Sequence, residues 1–394
     1  MRPVMELLKK FLLNMERLNP VRVLGEQREV LLHPTKAACW DSLHVVNLKQ
    51  QRITPNDFYF AELELSYENW SAIEILKSVL PMEGKDRIFY RRVGQILHVH
   101  LKDHLLPYKN LIGQVLLDKI RDCRTVVNRI YATDNHEGDF EVEFLCGSPE
   151  CEIEIKQYGF SFKFDFSKVP KSFCSWEEHG NIVKMLKLGD VLYEVSAGMG
   201  QCSVPAARKG CLVLSNESNP EIFRWLQHNA KKNNCPPRLR MFNKDARQFI
   251  LEDLRENLFK LLLATNTTTY GIHIVMNLPD MAVDLLDAFR GLYKADELTD
   301  LPKNVSYPTV HIYCLIEANR TLEKAKQLVE EHFGEILNDC LLQNVIYIGN
   351  ISQSRDLYRV SIKLSLNSLT TREIGVPRKR CAEEEQVVAI KRII

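Results

Sequence analysis

A glycine-rich turn in the middle of the chain is the segment best suited to bring the backbone close to a ligand. Residues 189–200 read as a strand that runs directly into a glycine turn, and a helix is predicted to begin at about Ser203. Gly198 and Gly200 would let the backbone approach a bound molecule closely. A dinucleotide fingerprint needs a third glycine, but Cys202 and Ser203 stand at that place, so the turn disfavours NAD. Taken alone, such a turn also fits plain packing of a helix on a strand.

Polar side chains follow the next three predicted strands, where an open α/β sheet collects its ligand contacts. Glu217 ends the second strand, and its carboxylate can accept hydrogen bonds from ribose hydroxyls. Asp245 follows the third strand and suits a base amino group, and Asn277 ends the fourth. Pro279 fixes the turn after Asn277, so that the amide can be aimed at an N–H group of a substrate. The set predicts methyl transfer to nitrogen, although each residue alone fits an ordinary turn.

An α/β sheet must position these residues, and the pattern from Phe160 to about Ser365 predicts one. Strands and helices alternate there, which is typical of a doubly wound, Rossmann-like sheet. The predicted strands are Val191–Val195, Leu212–Leu214, Leu239–Phe242, Ile272–Met276, Val310–Tyr313 and Val345–Ile348.

Two small α+β domains are expected before this sheet. The first begins with a helix and ends in a half-buried strand at Leu63–Trp70. The second has an alternating segment at Val93–Leu101, a helix at Lys109–Lys119 and strands at Val126–Ile130 and Phe140–Leu145. The predicted domains are therefore residues 1–75, 76–155 and 156–370, followed by a flexible tail at 371–394.

The composition is that of a globular chain with more than one domain. Its 394 residues exceed the length at which a single core stops growing, and 45% of them are hydrophobic. No run approaches the roughly 18 apolar residues that a membrane span requires, and the Leu-rich segment Phe259–Ala264 is far shorter. The 11 cysteines form no C-x-x-C pair and no Cys/His cluster, which argues against a disulfide framework and against zinc. No metal is expected, and a reducing compartment fits best.

Several motifs, in this order, resemble the archaeal and eukaryotic tRNA (guanine-37-N(1))-methyltransferase family. The resemblance runs from about Leu63 to Ser365 and is carried by Leu106–Val115, Phe164–Val169, Glu178-His179, Ala197–Gly200, Asn219-Pro220 with Trp225-Leu226 and Asn229, Asp245 and Val275–Pro279. It implies transfer of a methyl group from S-adenosylmethionine (AdoMet) to N(1) of the tRNA guanine next to the anticodon, which supports reading-frame maintenance. The main alternative is a diverged paralogue that binds AdoMet or tRNA with little or no catalysis. A small-molecule methyltransferase or an oxidoreductase is a third.

The resemblance also implies a role for each site residue. The implied AdoMet-binding residues include the two glycines of the turn; they are His179, Gly198, Gly200, Glu217, Ser218, Asp245, Ala246 and Asn277. Glu178 matches the family's acid that takes the proton from the guanine ring nitrogen, and Asn277 and Pro279 match the residues that grip the target base. A partly desolvated carboxylate is a competent base for a ring nitrogen that is a poor nucleophile until it is deprotonated.

The chain departs from the family pattern at several positions. Pro170 replaces a tyrosine, and Cys174 replaces an arginine that steadies charge on the guanine keto oxygen. Gly138 falls where the family has another arginine near the active site. Losing one such partner slows a reaction by about a hundredfold or more. Glu194 and Glu217 replace aspartates, which is expected to keep the charge on a longer arm.

The expected partner is tRNA, bound by one monomer, with no membrane. The resemblance implies that the N-terminal domain reads the outer corner of tRNA. The net charge is only +1, so RNA affinity must come from local basic surface. The expected phosphate contacts of the middle domain are Lys102, His104, Tyr108, Lys109, Lys119, Arg121, Arg124 and Arg129. Cytoplasm and nucleus are the expected compartments; the basic amphipathic N-terminus leaves the mitochondrial matrix as an alternative, against which Glu6 and Glu16 argue.

Overall fold

The computed structural model describes residues 2–25, 27–43, 48–81, 88–131, 140–168, 176–264, 270–302, 305–318, 321–351 and 354–371. The chain separates into two compact units, Met1–Ile130 with Phe140–Cys151 and Tyr131–Asp139 with Glu152–Ile394. The departures at Gly138, Pro170 and Cys174 lie outside the described residues, and so does the predicted tail after Thr371. The division at residues 75, 155 and 370 stays a prediction.

The first unit contains a two-stranded and a four-stranded sheet. Its helices and strands are α1 (Arg2–Leu8), β1 (Val21–Leu24), β2 (Gln27–Val30), α2 (Ala72–Val79), β3 (Tyr90–Val93), β4 (Ile96–Val99), α3 (Lys109–Lys119), β5 (Thr125–Tyr131) and β6 (Phe140–Gly147). Short 3-10 helices lie at Trp40–Leu43, Lys49–Gln51, Pro55–Asp57, Tyr67–Asn69 and Asp103–Tyr108. Helix α3 has the predicted bounds. It buries Ile112 and Leu116 against the four-stranded sheet, in which the strand order is β3-β4-β5-β6.

The predicted strand at Leu63–Trp70 is wrong. The described segment forms a 3-10 turn at Tyr67–Asn69 instead. The backbone N–H of Ser66 donates to Asn69 Oδ1 at 3.0 Å, and the Ser66 hydroxyl donates to the same oxygen at 3.3 Å. Side-chain hydrogen bonds of this kind offer the backbone an alternative to a sheet ladder. The alternation of residue types therefore did not decide the local structure.

The second unit contains a two-stranded sheet, formed by its first two strands, and a seven-stranded sheet. Its strands are β7 (Glu152–Gln157), β8 (Phe160–Asp165), β9 (Val191–Glu194), β10 (Leu212–Asn216), β11 (Leu239–Phe242), β12 (Ile272–Met276), β13 (Thr309–Glu317), β14 (Leu342–Asn350) and β15 (Arg355–Lys363). Its α-helices are α4 (Trp176–Met185), α5 (Ser203–Lys209), α6 (Pro220–Lys232), α7 (Ala246–Phe249), α8 (Arg255–Leu262), α9 (Leu322–Phe333) and α10 (Leu366–Thr370). A π-helical turn lies at Ile250–Leu254, and 3-10 helices lie at Val283–Phe289 and Ala295–Leu298.

The sheet order is β11-β10-β9-β12-β13-β15-β14. The first five strands are parallel, and β15 is antiparallel to both of its neighbours. All four residues of β9 are buried, as expected for a strand covered on both faces. The carboxyl ends of β9 to β12 therefore lie side by side, which places the residues that follow them at one edge. This confirms the predicted Rossmann-like fold class.

No helix in the described ranges has both the length and the apolar character needed to cross a bilayer.

Two histidines stack inside this sheet. His273 Nδ1 lies 3.1 Å from His311 Nε2, with the ring centroids 5.4 Å apart. His311 Nδ1 lies 2.9 Å from Ser361 Oγ, and His273 Nε2 lies 3.7 Å from Asp190 Oδ2. Burial, followed by the neighbouring His273 and Arg359, lowers the pKa of His311 to about 3. His311 is therefore neutral in the folded protein across the neutral and mildly acidic range.

We expect His311→Gln to reduce the acid sensitivity of folding. A histidine with a lowered folded pKa takes up a proton on unfolding, so its contribution to stability is complete above about pH 6.5 and falls as the pH drops toward about 3. The loss from His311 is about 2 kcal/mol between about pH 6.5 and 5. Urea unfolding over this pH range measures it, with the exposed His228→Gln as the control. Identical pH dependence in wild type and His311→Gln contradicts the prediction.

Candidate functional site

The turn between β9 and α5 contains two glycines whose backbone conformation is unusual for other residues. Gly198 and Gly200 have φ angles of +55° and +95°, in the left-handed region that favours glycine. A Cβ at Gly200 would meet Leu226 Cδ1 at 2.9 Å, whereas a Cβ at Gly198 would point into open space. From α6, Asn229 Nδ2 donates to the Met199 carbonyl at 3.1 Å and holds the turn in place. A ligand can therefore approach the backbone at Gly198.

Glu217 connects this turn to the end of β10. Its Oε2 accepts from the Gly198 N–H, and its Oε1 accepts from the Asn219 N–H, both at 2.9 Å. Burial raises the pKa of Glu217, and the two backbone N–H groups oppose that shift. Asn243 Nδ2 donates to the carbonyls of Glu217 and Ser218 at 2.6 and 3.0 Å. Because each carboxylate oxygen has further lone pairs, Glu217 can also accept from a ribose hydroxyl.

Asp245 follows the next strand, β11, and immediately precedes helix α7. Its Oδ1 accepts from the backbone N–H groups of Arg247 and Gln248 at 2.9 and 3.2 Å, so it caps the start of α7. Asp245 is exposed, and Ala246 behind it is buried. The cap fixes the position of the carboxylate at the edge where Glu217 also lies.

Asn277, at the end of β12, contacts helix α4. Its Nδ2 lies 3.3 Å from Nε2 of His179, a residue that is itself buried. Pro279 is buried two residues later, and the Leu278 carbonyl accepts from the Met281 N–H at 2.8 Å to close the turn. This contact joins the edge of parallel strand ends to α4.

Glu178 is the residue before His179 on α4 and is almost completely buried, at 4% exposure. Its Oε1 accepts from the Tyr313 hydroxyl at 2.9 Å and forms an ion pair with Arg359 Nη1. Its Oε2 accepts from Asn181 Nδ2 at 3.1 Å. The carboxylate is thus held between α4, β13 and β15, one residue away from the contact with Asn277.

Glu194 lies under the turn at the end of β9 and is also buried. It accepts a hydrogen bond from the Ser203 hydroxyl, which also contacts Ser215. Burial, opposed by hydrogen bonds from Ser203 and assisted by the nearby charge of Glu217, raises the pKa of Glu194 to about 8. Glu194 is therefore protonated at neutral pH. The expectation that it keeps a negative charge is wrong, because the site is too well shielded from water.

Sequence reasoning missed several residues that build the site. Asn216, at the end of β10, donates from Nδ2 to the carbonyls of Val195 and Lys244 at 3.2 and 3.0 Å, and so connects three strand ends. Tyr313 and Arg359 surround Glu178 from β13 and β15. A polar residue that ends an apolar strand was the available signal for Asn216, and an arginine within an apolar strand was the signal for Arg359.

The structure brings most of the predicted site residues to one edge of the sheet. Gly198 contacts Glu217, and Asn277 contacts His179, while Gly200, Ser218, Asp245, Ala246 and Pro279 follow the ends of β9 to β12. The described part of the chain contains no group of three or more His, Cys, Asp or Glu residues that could hold a metal ion. The open glycine turn and its acids fit a ligand with ribose hydroxyls and a base amino group. The individual roles stay predictions.

Comparisons with known proteins agree with this architecture. The family model of the TYW2 N-terminal domain matches residues 73–150, and the model of the TRM5/TYW2 methyltransferase domain matches residues 153–298. Solved structures of Trm5b from Pyrococcus abyssi and of aTrm5 in complex with tRNALeu have TM-scores of 0.61 and 0.59. Each covers 92% of this chain, and the matches cover 96% and 97% of those chains at 17% identity. At that identity the likeness shows the fold.

A relative from Drosophila melanogaster, named tRNA (guanine(37)-N(1))-methyltransferase, is 57% identical to this chain over 389 residues. The match covers 98% of the chain and 85% of the relative. Identity at this level, over nearly the whole length, extends through both units. The chain therefore belongs to the tRNA (guanine(37)-N(1))-methyltransferase family.

Proposed function

We propose that the chain transfers a methyl group from AdoMet to N(1) of guanine at position 37 of tRNA, next to the anticodon. The D. melanogaster relative with 57% identity is named for this activity. The observation that carries the proposal is the 3.3 Å approach of Asn277 Nδ2 to His179 Nε2. Asn277 follows the strand ends that suit a nucleoside ligand, and His179 lies on α4, the helix that also carries the buried carboxylate of Glu178. The contact therefore connects the two parts of the site.

The glycine turn and the polar strand ends form the proposed AdoMet site. Its proposed residues are His179, Gly198, Gly200, Glu217, Ser218, Asp245, Ala246 and Asn277. AdoMet supplies a methyl group that its sulfonium makes electrophilic. The Glu217 carboxylate, already oriented by two backbone N–H groups, is placed to accept from the ribose. Asp245, fixed as a helix cap, is placed to accept from the adenine amino group.

Glu178 is the proposed general base, and Asn277 and Pro279 are the proposed grip on the target guanine. Guanine N(1) carries a proton and is a poor nucleophile until that proton leaves. A buried carboxylate can accept the proton without competition from bulk water. Pro279 fixes the turn, so the Asn277 amide can hydrogen-bond to the base.

Residues 1–75 and 76–155 are the two proposed tRNA-binding domains. Lys102 and Arg121 are exposed, whereas Lys109 is paired with Glu143. Lys119 lies 4.1 Å from the ring centroid of Tyr67. Because their side chains are exposed, Lys102 and Arg121 are proposed to contact phosphates. An enzyme that acts beside the anticodon must also receive an unstacked base.

The proposed assembly is a monomer that binds one tRNA. The proposed compartments are the cytoplasm and nucleus, with the mitochondrial matrix as the alternative. The described residues include nine cysteines with free thiols, which fits a reducing compartment.

Transfer of a radiolabelled methyl group from AdoMet to unmodified tRNA transcripts tests the activity. We expect incorporation into a transcript with guanine at position 37 and none into the matched transcript with adenine there. Nucleoside digestion followed by mass spectrometry should then identify N(1)-methylguanosine. Absence of transfer by protein that binds both AdoMet and tRNA would support the diverged paralogue. Equal incorporation into both transcripts would contradict the guanine assignment.

A further inference from the structure

An arginine is buried beside the proposed general base. Arg359, on β15, is only 3% exposed, and its Nη1 forms an ion pair with Glu178 Oε1. Tyr313, on the adjacent strand β13, donates to the same oxygen at 2.9 Å and lies directly across from Arg359 in the strand register. Two donors from neighbouring strands therefore converge on one carboxylate oxygen of helix α4.

A contribution to stability does not explain this arginine well. Removing two charges from water costs free energy that their attraction often fails to recover, and apolar replacements of buried pairs are frequently neutral or stabilising. Arg359 also leaves its Nε without a hydrogen-bond partner among the described residues. Side chains alternate between the two faces of a strand, so Arg359 shares its face of β15 with Leu357 and Ser361, which are both buried. The fold thus places a cation at a position that is shielded from water.

We infer that Arg359 is a positioning residue for Glu178, assisted by Tyr313. The inference rests on the proposed role of Glu178 as the base. The two donors on Oε1 add to the hydrogen bond that Asn181 donates to Oε2, and together these contacts fix the plane and direction of the Glu178 carboxylate. A misplacement of about 1 Å can cost about a hundredfold in rate.

The proton balance defines what Arg359 acts on. The guanine N(1)–H proton moves to the Glu178 carboxylate, and the electron pair left on N(1) forms the bond to the methyl carbon. The bond between that carbon and sulfur breaks, and its electron pair stays on sulfur. Arg359 touches none of these atoms and acts through the orientation of Glu178.

The test compares Arg359→Gln, Arg359→Lys and the exposed control Lys363→Gln, which lies on the same strand. Single-turnover methyl transfer at saturating tRNA and AdoMet should be about 100-fold slower in Arg359→Gln. Calorimetry should find AdoMet affinity unchanged, and KM for tRNA should also be unchanged, because the arginine contacts neither ligand. Arg359→Lys keeps a cation and should recover part of the rate, whereas Lys363→Gln should match the wild type.

A double variant separates positioning from a general structural effect. In Glu178→Gln the base is already lost, so adding Arg359→Gln should slow transfer no further. The double variant also contains no buried carboxylate left without its cation, so it keeps the comparison valid if Arg359→Gln alone unfolds. Circular dichroism and AdoMet calorimetry on every variant report the fold.

The outcomes distinguish this inference from the proposed function. Wild-type rates in Arg359→Gln together with a slow Glu178→Gln would overturn the positioning role alone. A further loss of rate in the double variant would also overturn it, since Arg359 would then act independently of Glu178. A wild-type rate in Glu178→Gln would overturn the assignment of the base and the inference with it.

Discussion

We expect Glu178→Gln to lower the single-turnover rate of methyl transfer by about 10²–10⁴-fold and to leave AdoMet affinity unchanged. Glutamine keeps the size of the side chain and can still accept from Tyr313 and Arg359, but its amide cannot take the proton from guanine N(1). Transfer of a radiolabelled methyl group to the tRNA transcript with guanine at position 37 measures the rate, and calorimetry measures AdoMet binding.

Two further variants make the result specific. Glu177→Gln changes the neighbouring exposed residue of α4 and should transfer methyl groups at the wild-type rate. Glu217→Ala removes the carboxylate that accepts from the Gly198 N–H. This variant should lose AdoMet affinity, whereas Glu178→Gln should lose only the rate of methyl transfer. If Glu178→Gln turns over as fast as Glu177→Gln, another group accepts the proton.

We expect Glu194→Gln to raise the free energy of unfolding at neutral pH by about 3 kcal/mol. The folded pKa of about 8 lies above the ordinary value of 4.5, so the folded state binds an extra proton between these values. The folded state of the wild type is therefore most stable, as far as Glu194 is concerned, below about pH 4.5, and it loses stability as the pH rises through about 8. Glutamine has no proton to lose and still accepts from Ser203.

Urea unfolding at about pH 5, 6.5 and 8 checks this prediction. The wild type and Glu194→Gln should have similar stability at the lowest pH and diverge by about 3–4 kcal/mol at the highest. Glu221→Gln, at an exposed residue of α6, should follow the wild type throughout. A constant difference between wild type and Glu194→Gln across the range contradicts a proton held by Glu194.

Local patterns predicted most of the regular structure that frames the site. Helix α3 and strands β11 and β12 have the predicted bounds, because their patterns are set within a few residues. Strand β15, by contrast, was not predicted, and Leu63–Trp70 was wrongly predicted as a strand. The structure of each segment depends on where its backbone finds hydrogen-bond partners. In Leu63–Trp70 the partners are side chains within the turn, and in β15 they are strands remote in the sequence.

The sequence by itself determined the edge at which the site forms. Glycine and polar residues after successive strands of an alternating α/β chain must meet where the parallel strands end. It also carried the motifs that assign the family and, through them, the predicted roles of Glu178 and Asn277. Both results depend on residue type and on position along the chain, which are readable without coordinates.

Only the tertiary structure decided the electrostatics of that site. Arg359 lies 181 positions from Glu178, and the two meet because β15 enters the sheet beside β13 rather than beside β14 alone. No local pattern encodes that strand order, since any apolar strand could have occupied the place. Likewise, Glu194 is protonated because its surroundings exclude water, and burial is a property of the packed sheet rather than of the residue.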